Sequence, residues 1–436
     1  MTAALPPSIT SEGLAALIAP GDHVHLAGSF GEPVALTRLL VEARGRFERL
    51  PVWTTQVQAG SPLAACPADG ALDVRLLLSS VAAAARIAAG DWSYVPCQYP
   101  DVARFVDEGR LRCDVALVHV SPPDAEGRCS LGTTVGYQRA LLRRARTVVA
   151  QVNRHMPRTH GDTLVPLERF AAVVEADTPL HETGAEPLSP AEAAQAAKIG
   201  AHVAALVPDG ATIEVGYGAI PDAVLGALGA HRDLGVHSGL VCDSMIDLVE
   251  SGVITGAHKP LDRGLVVATT AIGTRRLYEW LNDEPRVELR EAAAVCDAEL
   301  MACLPDVRAI NTTIEVDLSG QANSEMAGGR LLGGYGSLVE LARGGRGAPG
   351  GLSILALAST DARGARSKIV PRLASPLGAT LGKLDADVIV TEHGAAELRL
   401  LDARDRARAL IGLADPRFRA ELEDAAREAF RGLGGF

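Results

Sequence analysis

The chain has 436 residues, too many for one ordinary domain, and its 47% hydrophobic and 22% charged residues argue against disorder. Asp and Glu (53) outnumber Lys and Arg (42), and the net charge of −11 argues against general binding to nucleic acid or to an anionic membrane. No uncharged apolar stretch of about 18 residues occurs and the seven cysteines are scattered without a CxxC spacing, so we expect no membrane-spanning helix and a cytoplasmic protein with reduced thiols.

Short apolar segments alternate with amphipathic ones along the whole chain. In the first half the predicted strands are DHVHLA (22–27), DVALVHV (114–120) and TVVAQV (147–152), and a helix follows the first of them. In the second half the predicted strands lie in ATIEVGYG, GLVVATTAIG, LSILALAS and DVIVTEHG. Buried runs of this kind, separated by helices, predict an α/β fold with parallel sheets covered on both faces.

The segment 179–190 is rich in Pro, Glu and Gly and predicts the boundary between two open α/β domains, residues 1–185 and 190–436. Ser189, Pro190 and Glu192 have the pattern of a helix start at the beginning of the second domain. Near the C-terminus, residues 416–431 predict a charged amphipathic helix. Because open α/β sheets bind ligands beyond the carboxyl ends of their strands, we expect the active site in the crevice between the domains.

Two glycine-rich turns follow predicted strands, at residues 28–33 (GSFGEP) and 216–221 (GYGAIP). Glycine lets the backbone approach an anionic or thioester ligand closely, and the helix start that follows offers free N–H groups. A tight strand–helix turn also needs glycine for purely structural reasons, so both interpretations stay open. No His, Asp or Glu set has metal-ligand spacing, and no metal is expected.

Further motifs occur in order along the chain. They are VSPPD (120–124) with CSLG (129–132), VN (152–153) with MPRTHGD (156–162), GAIPDAV (218–224), DLGVHS (233–238), VDL (316–318), SKIVPR (367–372) and VTE (390–392). From about Gly21 to Arg419, these motifs resemble the acetyl-CoA hydrolase/transferase family, which includes acetate and 4-hydroxybutyrate CoA-transferases.

The resemblance implies two similar α/β domains of the CoA-transferase type, an acyl-CoA substrate with a small-molecule acceptor, and a homo-oligomer. It also implies ping-pong chemistry, in which a glutamate attacks the thioester, forms an anhydride and becomes a glutamyl-CoA thioester while water is kept out. By the same resemblance, coenzyme A is expected to be positioned by residues of two glycine-rich loops: Gly216, Gly218, Ile220 and Pro221 in one, and Gly334 and Gly336 in the other.

The chain departs from the family at the residue that carries this chemistry. In the family the glutamate follows a His-(Ser/Thr) pair, and here that position is Gly239, which has no side chain to form an anhydride or a thioester. Cys296 replaces an Asn that supports the glutamate in the family, and Ser337 replaces the last glycine of the second loop. Because the glycine turns and core strands are retained, the pattern favours a re-purposed site over random decay.

Four residues are candidates for a replacement catalytic role. Cys296 could accept the acyl group after activation by His237; alternatively Cys296 is a small buried hydrophobe and His237 only holds its loop. Glu214, where the family more often has Gln, could present a carboxylate from a strand end, or it is a hydrogen-bonded strand residue. Ser337 could act from the loop, although Gly-to-Ser changes in loops are commonly neutral.

The leading hypothesis is an enzyme that acts on a CoA or carrier-bound thioester, by acyl transfer or hydrolysis, without a glutamyl-CoA intermediate. One alternative is a conventional acyl-CoA:carboxylate CoA-transferase with a relocated carboxylate nucleophile such as Glu214. The other is a non-catalytic homologue that binds CoA. The expected partners are acyl-CoA, a small-molecule acceptor and, for a carrier-bound thioester, a carrier protein, with neither nucleic acid nor a membrane.

Overall fold

The computed structural model describes residues 5–183 and 188–433, so residues 184–187 of the boundary predicted from the sequence lie outside the described part of the chain. The chain divides into two compact units. The first unit is the chain up to Thr183 together with Val267–Val295 and Arg330–Gly336, and the second unit is the remainder. The sequence prediction had assigned both of these returning segments to the second domain.

Helices and strands alternate through both units. The α-helices of the described residues are α1 (Ser11–Leu17), α2 (Val34–Glu42), α3 (Val81–Ala88), α4 (Asp101–Asp107), α5 (Gln138–Arg144), α6 (Pro190–Ala204), α7 (Ala219–Ala227), α8 (Asp243–Glu250), α9 (Arg275–Trp280), α10 (Ala292–Val295), α11 (Ala298–Ala302), α12 (Leu338–Gly347), α13 (Ala403–Leu413) and α14 (Arg419–Ala429). Short 3₁₀ helices cover Ser29–Gly31, Ala43–Arg46, Leu167–Arg169, Pro416–Phe418 and Arg431–Leu433.

The β-strands are mostly short, as is usual for parallel sheets. In chain order they are β1 (Val24–Leu26), β2 (Leu50–Thr54), β3 (Leu72–Leu76), β4 (Ser93–Tyr94), β5 (Val115–Val120), β6 (Arg128–Ser130), β7 (Thr147–Asn153), β8 (His160–Gly161), β9 (Leu164–Pro166), β10 (Ala172–Ala176), β11 (Thr212–Val215), β12 (Gly235–His237), β13 (Leu240–Val241), β14 (Val266–Ala268), β15 (Thr270–Ala271), β16 (Val287–Leu289), β17 (Val307–Thr312), β18 (Glu315–Asp317), β19 (Ala322–Asn323), β20 (Met326–Ala327), β21 (Arg330–Leu331), β22 (Leu352–Ala356), β23 (Ile369–Val370), β24 (Val388–Thr391) and β25 (Gly394–Glu397).

The first unit is built on a parallel seven-stranded sheet in the order β10-β7-β5-β1-β2-β3-β4. Strand β5 is buried along its whole length because helices cover both faces of the sheet. Ala116 and Val118 pack in one core with α4 and α5, whereas Val115 and Leu117 pack in the other with α1 and α2. This alternation is the two-residue period of a strand, and it confirms the strand predicted over 114–120.

The main sheet of the second unit has a run of six strands in the order β25-β24-β22-β17-β11-β12, parallel except for the antiparallel pair β24–β25. Its first helix, α6, begins as the sequence predicted. Ser189 caps the helix by accepting from the backbone N–H of Glu192, the Glu192 side chain returns the bond to the Ser189 N–H, and Pro190 occupies the first turn. This capping box satisfies two N–H groups that a helix start leaves unpaired.

The two units repeat one arrangement of five strands, since β10-β7-β5-β1-β2 in the first unit matches β24-β22-β17-β11-β12 in the second. The corresponding strands β5 and β17 both have six residues, and His119 and Asn311 are each the fifth residue of their strand. The prediction of two similar α/β domains is therefore confirmed.

Within the described ranges, none of the helices is both long enough and apolar enough to cross a membrane.

Candidate functional site

Glu214 occupies an unusual place for a charged residue type, inside strand β11 between β17 and β12. The neighbouring Thr212, Ile213 and Val215 are β-branched and favour the strand, and the whole strand is buried. Only 2% of Glu214 is exposed. A glutamate this deeply buried needs hydrogen-bond partners, because transfer of a carboxylate out of water is otherwise very costly.

The side chain of Asn311 on β17 supplies such a partner: its Nδ2 donates to Glu214 Oε2 over 2.6 Å. Burial raises the pKa of Glu214 from its ordinary value of 4.5 to about 8, and the hydrogen bond from Asn311 counteracts only part of that rise. The carboxyl is therefore mostly protonated at pH 7 and changes its charge state close to that pH. A group with such a pKa can both take up and release a proton under ordinary conditions.

Gly239 lies two residues beyond the end of β12, in the bend that leads to β13. Register pairs Ile213 with Val236, and Ser238 Oγ hydrogen-bonds to the backbone of Val215 over 3.3 and 3.2 Å, so the two chains stay side by side to this point. Position 239 therefore follows directly after the end of the strand that neighbours Glu214.

A side chain at position 239 would meet little resistance. A Cβ built on Gly239 has a single neighbour within 4 Å among the described residues, the Cδ1 of Leu341 at 3.6 Å, which is ordinary van der Waals contact. The backbone of Gly239 is also outside the left-handed region. The glycine is therefore not required by the fold here, and the prediction that it stands in place of an acid is compatible with the local packing.

Cys296 follows α10 and has no exposed surface. Burial raises the pKa of its thiol to about 12; a hydrogen bond to Ser337 opposes the rise, and the carboxyls of Glu214 and Glu340 add to it. The reactive form of cysteine is the thiolate, which is scarce at neutral pH with such a pKa. These surroundings favour the interpretation of Cys296 as a buried small side chain over its interpretation as a nucleophile.

The two remaining catalytic candidates have clear structural positions. His237 is buried at the end of β12, where the register places it beside Glu214. Ser337 is the N-cap residue of α12, and Glu340 lies in the first turn of that helix. Glu214, His237, Cys296 and Ser337 thus all belong to the second unit, while their catalytic roles stay predictions.

The residues predicted to position coenzyme A fall into both units. Gly216 and Gly218 lie in the turn from β11 into α7, and Ile220 and Pro221 lie in the first turn of that helix. The φ of +119° at Gly218 is one that other residues rarely adopt. Gly334 and Gly336 belong to the first unit, where a Cβ on Gly334 would come within 3.2 Å of the backbone of Leu78 and Ser79. A side chain at 334 would therefore crowd this backbone, so close packing favours glycine there independently of any contact with coenzyme A.

The first unit holds a buried polar network around Glu32 and His119, neither of which the sequence interpretation proposed as a site residue. Glu32 accepts from Ser61 Oγ over 2.6 Å and lies 3.0 Å from His181 Nε2. His119 Nδ1 lies 3.0 Å from the Glu32 carbonyl, and its Nε2 lies 3.1 Å from Asn153 Nδ2. Burial lowers the pKa of His119 to about 3, so its ring is neutral. A histidine inside the strand DVALVHV is the sequence signal that could have indicated this network.

Metal ligands are not gathered anywhere in residues 5–183 and 188–433, where no group of three or more His, Cys, Asp or Glu is arranged to hold an ion. The seven cysteines are all free thiols.

Comparison with known proteins gives a consistent result over the whole chain. The acetyl-CoA hydrolase/transferase N-terminal domain matches residues 8–181, and the C-terminal domain of the same family matches residues 273–426. The 4-hydroxybutyrate coenzyme A transferase of Clostridium kluyveri is 34% identical over 422 residues, 97% of each chain. The succinyl-CoA:cyclohexane-1-carboxylate CoA transferase of Geobacter metallireducens is 36% identical over 423 residues, 96% of this chain and 94% of that one. The crystal structure of RipA from Yersinia pestis is similar with a TM-score of 0.89 and 32% identity, over 97% of each chain.

Proposed function

This chain belongs to the acetyl-CoA hydrolase/transferase family, whose members are CoA-transferases and acetyl-CoA hydrolases, and we propose that it acts on an acyl-CoA thioester without forming a glutamyl-CoA intermediate at position 239. The resemblance predicted from the motifs is confirmed, and the chain is an enzyme of this superfamily. The absence of a glutamyl-CoA intermediate at position 239 is the part that we propose.

The observation that carries the proposal is the glycine at position 239. An anhydride or a thioester with the enzyme needs a carboxylate at the attacking position, and glycine offers none. The acyl group then passes directly from the CoA sulfur to a small acceptor or to water. The retained turn at 216–221 supports coenzyme A as the leaving group, since its glycines and the start of α7 suit close approach of a phosphate-bearing ligand.

Four further features of the proposal come from the sequence and its resemblance to the family. The thioester is carried by coenzyme A or by a carrier protein, the enzyme is a homo-oligomer, it works in the cytoplasm, and it needs no metal. Each is open to direct measurement, by activity with carrier-bound acyl groups, by light scattering, by cell fractionation and by metal analysis of the purified protein.

The proposal is tested by incubating the purified protein with acetyl-, butyryl- and succinyl-CoA, with and without acetate as acceptor. Free CoA is measured with a thiol reagent, and the intact protein mass is measured before and after borohydride, which reduces a glutamyl-CoA thioester to the alcohol. We expect CoA release with an unmodified protein mass. A protein that carries CoA and is reduced by borohydride would overturn the proposal, and a protein that binds acyl-CoA but never releases CoA would favour the non-catalytic alternative.

A second candidate, a conventional CoA-transferase with Glu214 as its nucleophile, is favoured by the buried carboxyl one strand away from Gly239. It predicts ping-pong kinetics with acetate and a CoA adduct that maps to the peptide containing Glu214. The borohydride experiment therefore separates the two candidates, because only the second yields a reduced glutamate.

A further inference from the structure

Resting on the proposed function, we infer that the acceptor is water and that the Glu214 carboxylate, held by Asn311, is the general base that activates it. The enzyme is then an acyl-CoA hydrolase in which the acid group has moved by one strand, from the end of β12 to the interior of β11. The inference names both the acceptor and the residue that handles its proton.

Glu214 and position 239 lie close enough for a water molecule to join them. The register of β11 and β12 sets His237 beside Glu214, and Gly239 follows two residues later, in the bend before β13. One strand spacing sideways and two residues of extended chain correspond to about 8 Å. A glutamate side chain spans roughly half of that distance, and one water molecule spans the rest, which is the reach expected of a general base that acts through a water.

The space beside Gly239 is large enough for a small acceptor molecule. With Leu341 as the single neighbour within 4 Å of a built Cβ, the space that an acid side chain would fill in the relatives is accessible to a small acceptor. A water bound there would face both the thioester carbonyl that the family resemblance places at this position and the carboxyl of Glu214.

The burial of Glu214 favours a role as a general base over a role as a nucleophile. Glu214 lies within a strand with 2% exposure, and one of its oxygens already accepts from Asn311. An acyl or CoA adduct on this carboxyl would have to displace the groups that bury it, whereas a proton can be passed to it through a single water. The pKa near 8 supports the same role, because it keeps the carboxylate basic enough to take a proton from water near neutral pH.

Cys296, the alternative nucleophile, is in an unreactive state. Cys296 is fully buried, its pKa is raised to about 12, and its thiol is engaged by Ser337. Removing the proton from the Cys296 thiol at neutral pH would therefore cost much free energy. The carboxyl of Glu214 loses its proton at a pH more than three units lower.

In the hydrolysis, the Glu214 carboxylate takes one proton from water while the water oxygen bonds to the thioester carbonyl carbon. The carbon–sulfur bond then breaks, and the proton passes from Glu214 to the departing CoA sulfur. One thioester and one water give one carboxylic acid and one CoA thiol, and the enzyme returns to its starting state.

The inference is tested with the Glu214→Gln variant and with Glu325→Gln as a matched control. Glu325 is equally buried in the same unit and accepts from Thr380 over 3.0 Å. We expect Glu214→Gln to lower kcat/KM for acyl-CoA hydrolysis at least 100-fold, and Glu325→Gln to change it less than threefold. In the wild-type enzyme, log kcat/KM should rise with pH and level off near pH 8, a limb that Glu214→Gln should lack.

Wild-type turnover in ¹⁸O-labelled water separates the mechanisms even if Glu214→Gln does not fold. A general base predicts label in the acid product and none in the peptide that contains Glu214, whereas a nucleophile predicts label in that peptide after many turnovers. Label in Glu214, or a Glu214→Gln variant with wild-type kcat/KM, would overturn the inference while leaving the proposed function intact. If the wild-type enzyme instead forms glutamyl-CoA or releases no CoA, the proposed function itself fails.

Discussion

The buried carboxyl of Glu214 should make the stability of the protein depend on pH in a way that one substitution removes. Between about pH 4.5 and pH 8 the folded protein keeps a proton on Glu214 that the unfolded chain releases. The free energy of unfolding therefore falls as pH rises through this window, and the full loss is present above pH 8. A pKa displaced from 4.5 to about 8 corresponds to about 5 kcal/mol of lost stability.

Glutamine at position 214 is nearly isosteric with protonated glutamate and its carbonyl oxygen can accept from Asn311 in the same way. We therefore expect Glu214→Gln and the wild type to have similar stabilities at pH 5. At pH 9 the variant should be the more stable protein, by about 5 kcal/mol, because it has no charge to bury.

Urea denaturation of both proteins at pH 5, 7 and 9, followed by far-UV circular dichroism, measures this difference. Taking the difference between the two proteins cancels the titration of all other groups, and the common slope with urea confirms that both unfold to comparable states. If the difference in unfolding free energy changes by less than about 0.5 kcal/mol between pH 5 and pH 9, Glu214 does not titrate from a buried, protonated form, and the argument about its environment is wrong.

Three other outcomes can be measured with single variants. Gly239→Glu should fold, since a Cβ fits beside Leu341. It should acquire a CoA adduct that the wild type lacks, seen as a gain in intact mass after incubation with acyl-CoA. A folded variant without the adduct would contradict the proposal that position 239 corresponds to the glutamate of the family. Cys296→Ala should keep kcat within about threefold of the wild type, because the buried thiol is a poor nucleophile, and a complete loss of turnover in a folded variant would restore Cys296 as the acyl acceptor. Ser189→Ala removes the capping box of α6 and should lower the free energy of unfolding, measured by urea titration, by about 1 kcal/mol. The control is Ser11→Ala, because Ser11 is the first residue of α1 and the N-cap of that helix is Thr10. Equal stabilities of the two variants would argue against the cap.

Much of the fold could be predicted from local sequence because the signals act over short distances. The apolar run of β5 and the Ser-Pro-x-Glu start of α6 each specify an element within a few residues. The assignment of 267–295 and 330–336 to the first unit could not be predicted in this way. It depends on contacts between segments more than a hundred residues apart, which leave no pattern in the local sequence.

The candidate site also combines features that the local sequence predicts with features that depend on long-range contacts. The identity of Gly239 was readable from the sequence because the DLGVHS motif fixes the position. The pairing of Glu214 with Asn311 was not, since 97 residues separate the two and only the order of β11 and β17 in the sheet brings them together. The same holds for Glu32 and His181, which lie 149 residues apart. Burial also favours one of the two interpretations offered for Cys296, and burial is a property of packing.

His119 and Asn311 occupy corresponding places in the two units, each as the fifth residue of a six-residue strand. In the first unit His119 is neutral and contacts the carbonyl of Glu32, whose side chain in turn contacts His181. In the second unit Asn311 instead donates to a buried carboxyl whose pKa lies near neutral pH. Two units with one strand order therefore support a fixed polar network at this place in one case and a proton-exchanging acid in the other.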